Sequence, residues 1–456
     1  MISLDNIKNV YFLGIGGIGM SALARWFNAN GYKVGGYDKT STALTQTLTS
    51  EGMDIHYDDK VGRIPTLFYQ KETTLVIYTP AIPQDNLELI YFRGEEYALY
   101  KRSQVLGMLT KDIFTIGIAG THGKTTTSSM TAHLLKNAGL EVSAFLGGIT
   151  ANYNSNMLIG DKKGVVVIEA DEYDRSFLTL YPNMAVVTST DADHLDIYGN
   201  HNSVLESFTL YVNQIKEGGK LFLNHGLSLD TPAHVSKVSY GTNTEATSQA
   251  SNVRVVEGAF LFDYQYNEVV IKDIKLQLPG FHNVDNACAA LSIGVAMGIA
   301  PELLKQGIET FKGVKRRFEF IAKNADTVYV DDYAHHPAEL KAFISSAKAL
   351  FPNKKLTVFF QPHLFSRTKD FADEFAESLS LADCVYLLDI YPARELPMPG
   401  VTSEIVFKNI HSAEKHLITK EQIPAIVSEN KFEFVATVGA GDIDKYIDVI
   451  KAIIEK

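Results

Sequence analysis

Cysteine is scarce in this chain of 456 residues, which contains only Cys288 and Cys384. The two cysteines lie far apart in the sequence and form no CxxC motif. This scarcity excludes a disulfide scaffold and a zinc–cysteine site, and it is typical of proteins from a reducing cytosol. We therefore expect the protein to be cytoplasmic.

Long apolar runs and blocks of positive charge are missing as well. No apolar stretch approaches the roughly 20 residues of a membrane span, and the amino terminus has no basic segment followed by an apolar one. The net charge is −11, and Lys and Arg do not cluster. We expect neither a membrane protein nor a nucleic-acid binder. Anionic ligands would need positive potential at individual lysines, arginines and helix amino termini.

What the sequence does contain is a repeated order of strand, glycine-rich turn and helix, which predicts an α/β protein. The length indicates about three domains, which we place at residues 1–107, 108–313 and 314–456. The first and third are predicted to be Rossmann-like. The central one is predicted to resemble a P-loop ATPase with a mostly parallel sheet, interrupted by a small β-rich excursion near residues 227–274.

The first glycine-rich motif is Gly14-Ile-Gly16-Gly17-Ile-Gly19, which follows a predicted strand and opens a predicted helix. Glycines at this spacing let backbone N–H groups approach a diphosphate closely. Asp38 ends the next predicted strand, where an acidic side chain could bind a ribose hydroxyl. In isolation the motif suggests NAD, and a plain tight turn is the alternative. Because the motif lacks a lysine, it suits a diphosphate that is held and not cut.

The second motif is Gly120-Thr121-His122-Gly123-Lys124-Thr125-Thr126, which also follows an apolar strand. Backbone N–H groups and the helix dipole can bind phosphates there. Lys124 would neutralise the β- and γ-phosphates of a nucleotide, and Thr125 would coordinate Mg²⁺. The strict phosphate-loop pattern has a further glycine where Ile118 stands, so the match is a variant. Because the loop is expected at the surface, Lys124→Ala should abolish turnover with little loss of stability.

Carboxylates follow the next two predicted strands. Glu169-Ala-Asp171-Glu172 ends one strand, and Asp191-Ala-Asp193-His194 lies just beyond the other. Acidic groups at the carboxyl ends of strands face the ligand crevice of an open α/β sheet, and oxygen ligands suit Mg²⁺. These carboxylates therefore join Thr125 as candidate metal ligands. His194 would be a less usual ligand for Mg²⁺, and a histidine taken alone is more often structural.

In order and spacing, these motifs resemble those of the Mur ligases along essentially the whole chain. Four further motifs carry the resemblance: Phe281-His-Asn283-Val-Asp-Asn286, Arg316-Arg317-Phe318-Glu319, Asp331-Asp332-Tyr333-Ala-His335-His336 and Gln361-Pro-His363-Leu364-Phe-Ser-Arg367. The missing first glycine of the phosphate loop is also a trait of that family.

The resemblance implies an enzyme that joins L-alanine to UDP-N-acetylmuramate, using ATP and Mg²⁺ and passing through an acyl phosphate. The first domain would bind the UDP part through its glycine motif and Asp38, so NAD would not be its ligand. The central domain would bind Mg-ATP, and the third would complete the ATP and amino-acid sites. We expect a monomer or weak homodimer.

The resemblance also implies individual roles. The residues that would contact ATP are Gly120, Thr121, His122, Gly123, Lys124, Thr125, Thr126, Asn283, Asn286, Arg317 and Asp332. The metal ligands would be Thr125, Glu169 and His194. The substrate side would include Gly14, Gly16, Gly17, Gly19, Asp38, Tyr333, His335 and Arg367. The catalytic candidates are Lys124, His194, His335, His336 and Arg367.

The histidine pair has two open interpretations. His335 or His336, with a pKa near neutrality, could accept the proton of the alanine amine. Alternatively, the pair could hold a substrate carboxylate or Tyr333 in place.

Two features depart from the pattern of the family. Many alanine-adding members carry a basic residue where Leu364 stands. Several sister ligases use a carbamylated lysine downstream of the metal histidine, but no lysine occurs between Lys163 and Lys216 here.

Three alternative functions remain. Tyr173 is reminiscent of a related ligase that attaches a tripeptide to the same UDP-sugar, although the motif ending at Arg367 favours alanine. A nucleotide-dependent dehydrogenase would explain only the first loop. A non-catalytic nucleotide-binding module would leave the metal ligands without a purpose.

Overall fold

A computed structural model of the protein describes residues 4–161, 163–173, 175–191, 195–256, 258–393, 395–412 and 414–456. The chain divides into two compact units. The first unit comprises Met1–Gln249, Gln265–Val270 and Asn286–Ile308, and the second comprises Ala250–Tyr264, Ile271–Asp285 and Glu309–Lys456.

The first sheet of the first unit has five strands, all parallel. Strands β1 to β5 are Asn9–Leu13, Lys33–Tyr37, Asp54–His56, Thr74–Tyr78 and Ala98–Lys101. Helices α1 to α4 are Ile18–Ala29, Ala43–Ser50, Leu87–Gly94 and Arg102–Asp112. The strand order is β3-β2-β1-β4-β5. Because the direction of winding reverses between β1 and β4, the loop after β1 opens into the crevice where such sheets bind ligands.

The second sheet of this unit is built around the strand that precedes the second glycine motif. Strands β6 to β12 are Thr115–Ala119, Val142–Thr150, Ser155–Leu158, Val165–Glu169, Met184–Val187, Lys220–Asn224 and Ser236–Gly241. Helices α5 to α7 are Lys124–Asn137, Leu195–Tyr198 and His201–Val212. The order is β12-β11-β10-β6-β9-β7-β8, and β7 and β8 form an antiparallel hairpin. The carboxyl ends of β6, β9 and β10 are therefore neighbours.

The chain passes between the two units within three strands and two helices. Strands β13 to β15 are Ser248–Val256, Ala259–Tyr266 and Val269–Leu276, and they are consecutive neighbours. Helices α8 and α9 are Phe281–Ala296 and Pro301–Glu309. The β-rich excursion predicted near residues 227–274 corresponds to β12 and these three strands.

The sheet of the second unit is again mostly parallel. Strands β16 to β21 are Glu319–Lys323, Val328–Asp332, Leu356–Phe360, Cys384–Leu387, Glu414–Leu417 and Phe434–Val438. Helices α10 to α15 are Pro337–Leu350, Phe365–Asp370, Ala372–Leu379, Glu404–Phe407, Ile423–Glu429 and Ile447–Ile454. The order is β16-β17-β21-β18-β19-β20, with β16 antiparallel to β17.

The core of the first unit is continuous between its two sheets. Helix α1 packs against β7 and β8, and the side-chain amide of Asn156 donates to the carbonyl of Ile18 at 2.7 Å. Trp26, on α1, and Phe145, on β7, belong to the same cluster of buried apolar side chains. Because buried apolar surface contributes about 25 cal/mol per Å², this shared cluster stabilises both sheets together.

The other face of the first sheet covers a buried acid. Glu88, on α3, is fully buried and accepts a hydrogen bond from the Tyr11 hydroxyl at 2.7 Å. His56 lies 3.3 Å from the second carboxylate oxygen of Glu88. Burial raises the pKa of Glu88 to about 7, although the Tyr11 hydrogen bond opposes the shift. Ionising this carboxyl in the folded protein therefore costs stability.

The predicted α/β class with mostly parallel sheets is confirmed, while the predicted boundaries at 107/108 and 313/314 stay predictions. Within the described ranges, no helix combines the length and the apolar character that a membrane crossing requires.

Candidate active site

The second glycine motif forms a tight loop between β6 and α5. Gly120 has φ +140° and Gly123 has φ +81°, a backbone region that favours glycine. A side chain at Gly120 would also collide with the hydroxyl of Thr188. The loop leads directly into α5, which begins at Lys124 and has no side-chain cap. An uncapped helix start offers N–H groups to an anion.

Lys124 is held by a carboxylate inside the loop. Its Nζ lies 2.7 Å from Glu172 Oε2 and donates to the carbonyl of Gly120 at 2.6 Å. The two side chains are only 14% and 1% exposed, so the expectation of a purely surface position is wrong. Burial opposes the charge on Lys124, but Glu172 and the neighbouring Asp171 outweigh it and raise the pKa of Lys124. Lys124 thus stays a cation at the base of the loop.

Oxygen donors lie next to the first turn of α5. The Thr125 hydroxyl donates to Glu169 Oε1 at 2.9 Å, and the N–H of Gly147 donates to the other oxygen at 2.8 Å. Burial raises the pKa of Glu169, and the charge of Lys124 opposes that shift. A half-buried carboxylate beside a hydroxyl and a phosphate loop fits Mg²⁺, which prefers oxygen ligands. His194, the third predicted metal ligand, lies outside the described residues.

The segment after β10 braces the loop from the side. The N–H of Thr121 donates to the carbonyl of Ser189 at 3.1 Å, and the N–H of His122 donates to the Ser189 hydroxyl at 2.7 Å. The N–H of Asp191 in turn donates to the Thr121 hydroxyl at 3.1 Å. Sequence reasoning missed Ser189, although a run of hydroxyl residues directly after a strand was a usable signal.

Asn286, on α8, lies against the phosphate loop within the same unit. Its Oδ1 accepts from the Thr127 hydroxyl at 3.0 Å, and it would lie 2.8 Å from a side chain at Gly123. Thr126, the other predicted nucleotide ligand on α5, is buried. Asn283 belongs to the second unit, where its side-chain amide donates to the carbonyl of Pro279 at 2.6 Å.

The first glycine motif is closed by backbone and carboxylate contacts. The N–H groups of Gly14 and Ile15 donate to the carbonyl of Tyr37 at 2.8 and 3.1 Å. The N–H of Gly16 donates to Asp38 Oδ2 at 2.7 Å. Asp38 therefore shapes the loop, in addition to any contact it makes with a ligand. Helix α1 follows without a side-chain cap, so its amino terminus suits a diphosphate.

Arg102 is a cation that sequence reasoning missed. A side chain at Gly19 would lie 3.0 Å from Nη1 of Arg102, so the guanidinium lies directly over the first turn of α1. Arg102 is the first residue of α4, immediately after β5. A basic residue at the carboxyl end of a parallel strand is the signal that could have identified it.

In the second unit, the carboxyl end of β17 carries a buried acid. Asp332 accepts hydrogen bonds from the N–H groups of Phe318 and Ala334, each at 2.7 Å. Burial raises the pKa of Asp332 to about 7, with Arg317 opposing the shift. Asp332 thus organises the two loops around it. The guanidinium of Arg317 lies 5.3 Å from the ring centroid of Tyr333.

His335 is oriented by two acceptors. Its Nδ1 lies 3.1 Å from the carbonyl of Tyr333 and 3.2 Å from the carboxylate of Glu339. Because both partners accept, Nδ1 carries the proton and Nε2 carries the lone pair. Burial lowers the pKa of His335 to about 4, and the charge of Arg367 acts in the same direction. The expected pKa near neutrality is therefore wrong for His335 in this state.

His336 occupies the cap of a helix. The N–H of Ala338 donates to its Nδ1 at 3.4 Å at the start of α10, and its ring centroid lies 4.9 Å from that of Phe371. These contacts favour a positioning role for His336.

His363 and Arg367 complete a cluster around His335. The ring centroids of His335 and His363 are 6.1 Å apart, and His363 stacks on Tyr391 at 5.8 Å. Burial lowers the pKa of His363 to about 4, and Arg367 again contributes. Leu364, between them, has φ +71°, a strained value for a residue other than glycine. The sequence places His363 in a motif but predicts no role for it.

Comparison with known proteins decides the family. Three family models match the chain: "Mur ligase family, catalytic domain" at residues 9–113, "Mur ligase middle domain" at 118–294, and "Mur ligase, glutamate ligase domain" at 316–441. A UDP-N-acetylmuramate–L-alanine ligase from Cytophaga hutchinsonii is 51% identical over 459 residues, covering 100% of this chain and 98% of that relative. The chain belongs to the Mur ligase family.

Solved structures agree with the assignment of this chain to the Mur ligase family. A crystal structure of UDP-N-acetylmuramate-alanine ligase from Thermotoga maritima has a TM-score of 0.78 and 28% identity, with 98% of each chain covered. A MurF ligase from Thermotoga maritima, solved in complex with ADP, has a TM-score of 0.64 and 17% identity, covering 100% of this chain and 99% of that one. The second comparison supports the fold alone.

The structure of this Mur ligase brings part of the predicted site together. Lys124, Thr125 and Glu169 lie close together at the carboxyl edge of the second sheet. In the first loop, Gly16 contacts Asp38. The predicted roles of all these residues stay predictions.

Proposed function

We propose that the chain joins L-alanine to the lactyl carboxylate of UDP-N-acetylmuramate at the expense of ATP, a cytoplasmic step in making the peptidoglycan precursor. The observation that carries this proposal is its 51% identity, over the whole chain, to a relative named for that reaction. We further propose that the protein acts as a monomer or weak homodimer.

The phosphate loop would bind ATP. Lys124 would exchange its contact with Glu172 for the γ-phosphate, because both groups are anionic and either can pair with the ammonium group. Thr125 and Glu169 would hold Mg²⁺, whose bound charge lowers the repulsion between the triphosphate and an attacking carboxylate. The proximity of these groups within 2.9 Å supports the assignment.

The first loop would hold the diphosphate of the sugar nucleotide. The uncapped start of α1 and the guanidinium of Arg102 provide the positive potential that this ligand needs. Asp38 would serve the nucleoside side of the ligand while it holds Gly16. No lysine stands in the motif, which suits a diphosphate that stays intact.

The reaction would proceed in two steps. An oxygen of the lactyl carboxylate attacks the γ-phosphorus, and ADP leaves as an acyl phosphate forms. The amine of L-alanine then attacks the acyl carbon, and phosphate leaves from the tetrahedral intermediate. Lys124 would offset the charge that gathers on the phosphate oxygens. In the second unit, Arg367 would serve the substrate side beside His335.

The attacking amine must first lose a proton, and Nε2 of His335 is the proposed acceptor. Its Nδ1 already donates to Tyr333 or Glu339, which fixes the tautomer. A pKa of about 4 would make a weak base, but the negative charge of the acyl phosphate would raise the pKa of His335 during the reaction. His336 would position α10 and take no proton.

A panel assay of ADP release tests the proposal. UDP-N-acetylmuramate would be supplied with L-alanine, glycine, L-serine or a murein tripeptide, and we expect the fastest release with L-alanine. A Lys124→Met variant is the matched inactive control. Faster release with the tripeptide would favour the peptide-adding alternative that Tyr173 suggests, and reduction of NAD in place of ADP release would favour a dehydrogenase.

A further inference from the structure

Three potential metal ligands meet on the second unit, away from the residues discussed so far. The ligand atoms of Cys384, Glu414 and His416 all lie within 4.8 Å of one another. Among the residues that the structure describes, no other group of three or more Cys, His, Asp or Glu side chains has its ligand atoms this close together. The cluster runs against the expectation, drawn from the two widely separated cysteines and the missing CxxC motif, that the chain has no zinc–cysteine site.

Strand register accounts for this meeting. Strand β20 is the edge strand of the sheet and pairs in parallel with β19, with Cys384 opposite Glu414 and Tyr386 opposite His416. Residues two apart on a strand share a face, and opposite residues on parallel strands share it too. The backbone itself thus places the three side chains on one face.

The imidazole is held in place by stacking. The rings of His416 and Tyr386 are 4.7 Å apart and inclined by only 18°, and Tyr386 stacks in turn on Phe359 at 4.6 Å. Cys384 is buried, whereas Glu414 and His416 are exposed. The thiol therefore forms the floor of a shallow site that solvent ions can reach.

We propose that Cys384, Glu414 and His416 bind one zinc ion, with water as the fourth ligand. One sulfur, one imidazole nitrogen and one carboxylate oxygen form a donor set that suits Zn²⁺ better than Mg²⁺ or Ca²⁺. Ligand atoms about 2.0–2.3 Å from one tetrahedral zinc ion lie closer together than the observed limit of 4.8 Å. Small movements of the exposed Glu414 and His416 side chains would complete that geometry.

Zinc must compete with a proton and with a lysine. Burial, followed by the charge of Glu414, raises the pKa of the Cys384 thiol to about 11, so binding releases the thiol proton to solvent. The ammonium of Lys355 lies 3.0 Å from Glu414 Oε1 and would have to leave it. Both side chains of this ion pair are about half exposed, so that pair is weak and easily exchanged.

The position in the sheet indicates a structural role for the ion. Cys384 and Glu414 are the first residues of β19 and β20, whereas the proposed reaction site lies at the carboxyl end of this parallel sheet. A zinc ion here would fasten the edge strand to its neighbour, and it would stabilise the second unit without entering the chemistry.

Zinc titration of the full-length protein against a chromogenic chelator tests the inference. We expect one ion per chain, and Co²⁺ in its place should give a thiolate-to-metal absorption band. Cys384→Ser should remove the band, and His416→Ala should weaken Zn²⁺ binding by about tenfold or more. Cys288→Ser and His411→Ala are the matched controls, since each removes the same functional group elsewhere, and both should bind like wild type.

A further variant should change the affinity for Zn²⁺ in the opposite direction. Lys355→Met removes the competitor of zinc for Glu414 and should tighten Zn²⁺ binding. No stoichiometric binding, equal binding by wild type and Cys384→Ser, or weaker binding by Lys355→Met would each overturn the inference. ADP release measured on the same samples keeps this test separate from that of alanine ligation.

Discussion

The pair of Lys124 and Glu172 gives a quantitative test of the phosphate loop. The two charges are 2.7 Å apart and almost fully removed from solvent. Removing one partner of a buried ion pair leaves the other charge uncompensated, which costs about 3–5 kcal/mol. Lys124→Met leaves the carboxylate of Glu172, which is only 1% exposed, so we expect this variant to lower the free energy of unfolding by about 3–5 kcal/mol.

A double-mutant cycle separates this effect from simple truncation. Glu172→Gln alone should also destabilise, because it leaves Lys124 without its carboxylate. The double variant Lys124→Met/Glu172→Gln buries no unpaired charge and should be less destabilised than the sum of the two single variants, by a coupling free energy of roughly 2–3 kcal/mol. Lys124→Met and the double variant should fail to release ADP with L-alanine, whereas Glu172→Gln should retain partial turnover.

Fluorescence of the single tryptophan is the appropriate assay. Trp26 is buried in the shared core of the first unit, the unit that contains the loop, so urea unfolding followed at this residue reports on the right part of the molecule. Lys136→Met, on the exposed end of the same helix, is the control and should cost less than about 1 kcal/mol. Additive losses in the cycle, or a Lys124→Met variant as stable as wild type, would refute the buried-pair argument.

The remaining predictions concern the other parts of the site. Asp38→Ala and Arg102→Ala should raise the KM for UDP-N-acetylmuramate more than that for ATP in steady-state assays; the reverse order would mean that the two loops are exchanged. His335→Gln should lower kcat by about 10²–10⁴-fold, whereas His336→Gln should mainly lower the melting temperature; equal kcat losses would remove the distinction between them. In wild type, the free energy of unfolding should fall by an amount on the order of 3 kcal/mol as pH rises from about 4.5 to 7, because Glu88 ionises. Glu88→Gln should not show this loss when urea unfolding is compared at pH 5 and 8. Parallel pH profiles of the two proteins would contradict the prediction.

The sign for Glu88 follows from the direction of its shift. A carboxyl whose pKa is raised in the folded state binds its proton more tightly there than in the unfolded chain. Its protonated form is therefore favoured in the folded state below about pH 7, and ionisation above that value carries the full penalty. The glutamine variant cannot ionise, so its advantage over wild type should grow with pH.

Elements and residues with a one-dimensional pattern were predictable from the sequence. Strands β1, β2 and β4 match the apolar runs residue for residue, because polar or glycine-rich segments bound them on both sides. Thr125 and Glu169 meet because β6 and β9 are parallel neighbours, and consecutive motifs at strand ends share one edge.

Contacts that depend on register and packing were not predictable. The pairing of Glu172 with Lys124, the position of Arg102 over Gly19 and the brace formed by Ser189 join residues far apart in the sequence. The hairpin of β7 and β8 was missed because Gly147 and Gly148 weaken the strand pattern in its middle. The pKa of His335 depends on burial, which sequence spacing does not reveal.

The core shared by the two sheets of the first unit limits how this enzyme can be recombined. Helix α1 carries Trp26 into the same cluster as Phe145 and Met157 of the hairpin β7–β8. A chimera that exchanges residues 1–107 with those of a distant relative would place a foreign helix against this hairpin. The two glycine loops thus belong to one packed unit, and an engineered exchange of the first loop must bring the matching hairpin with it.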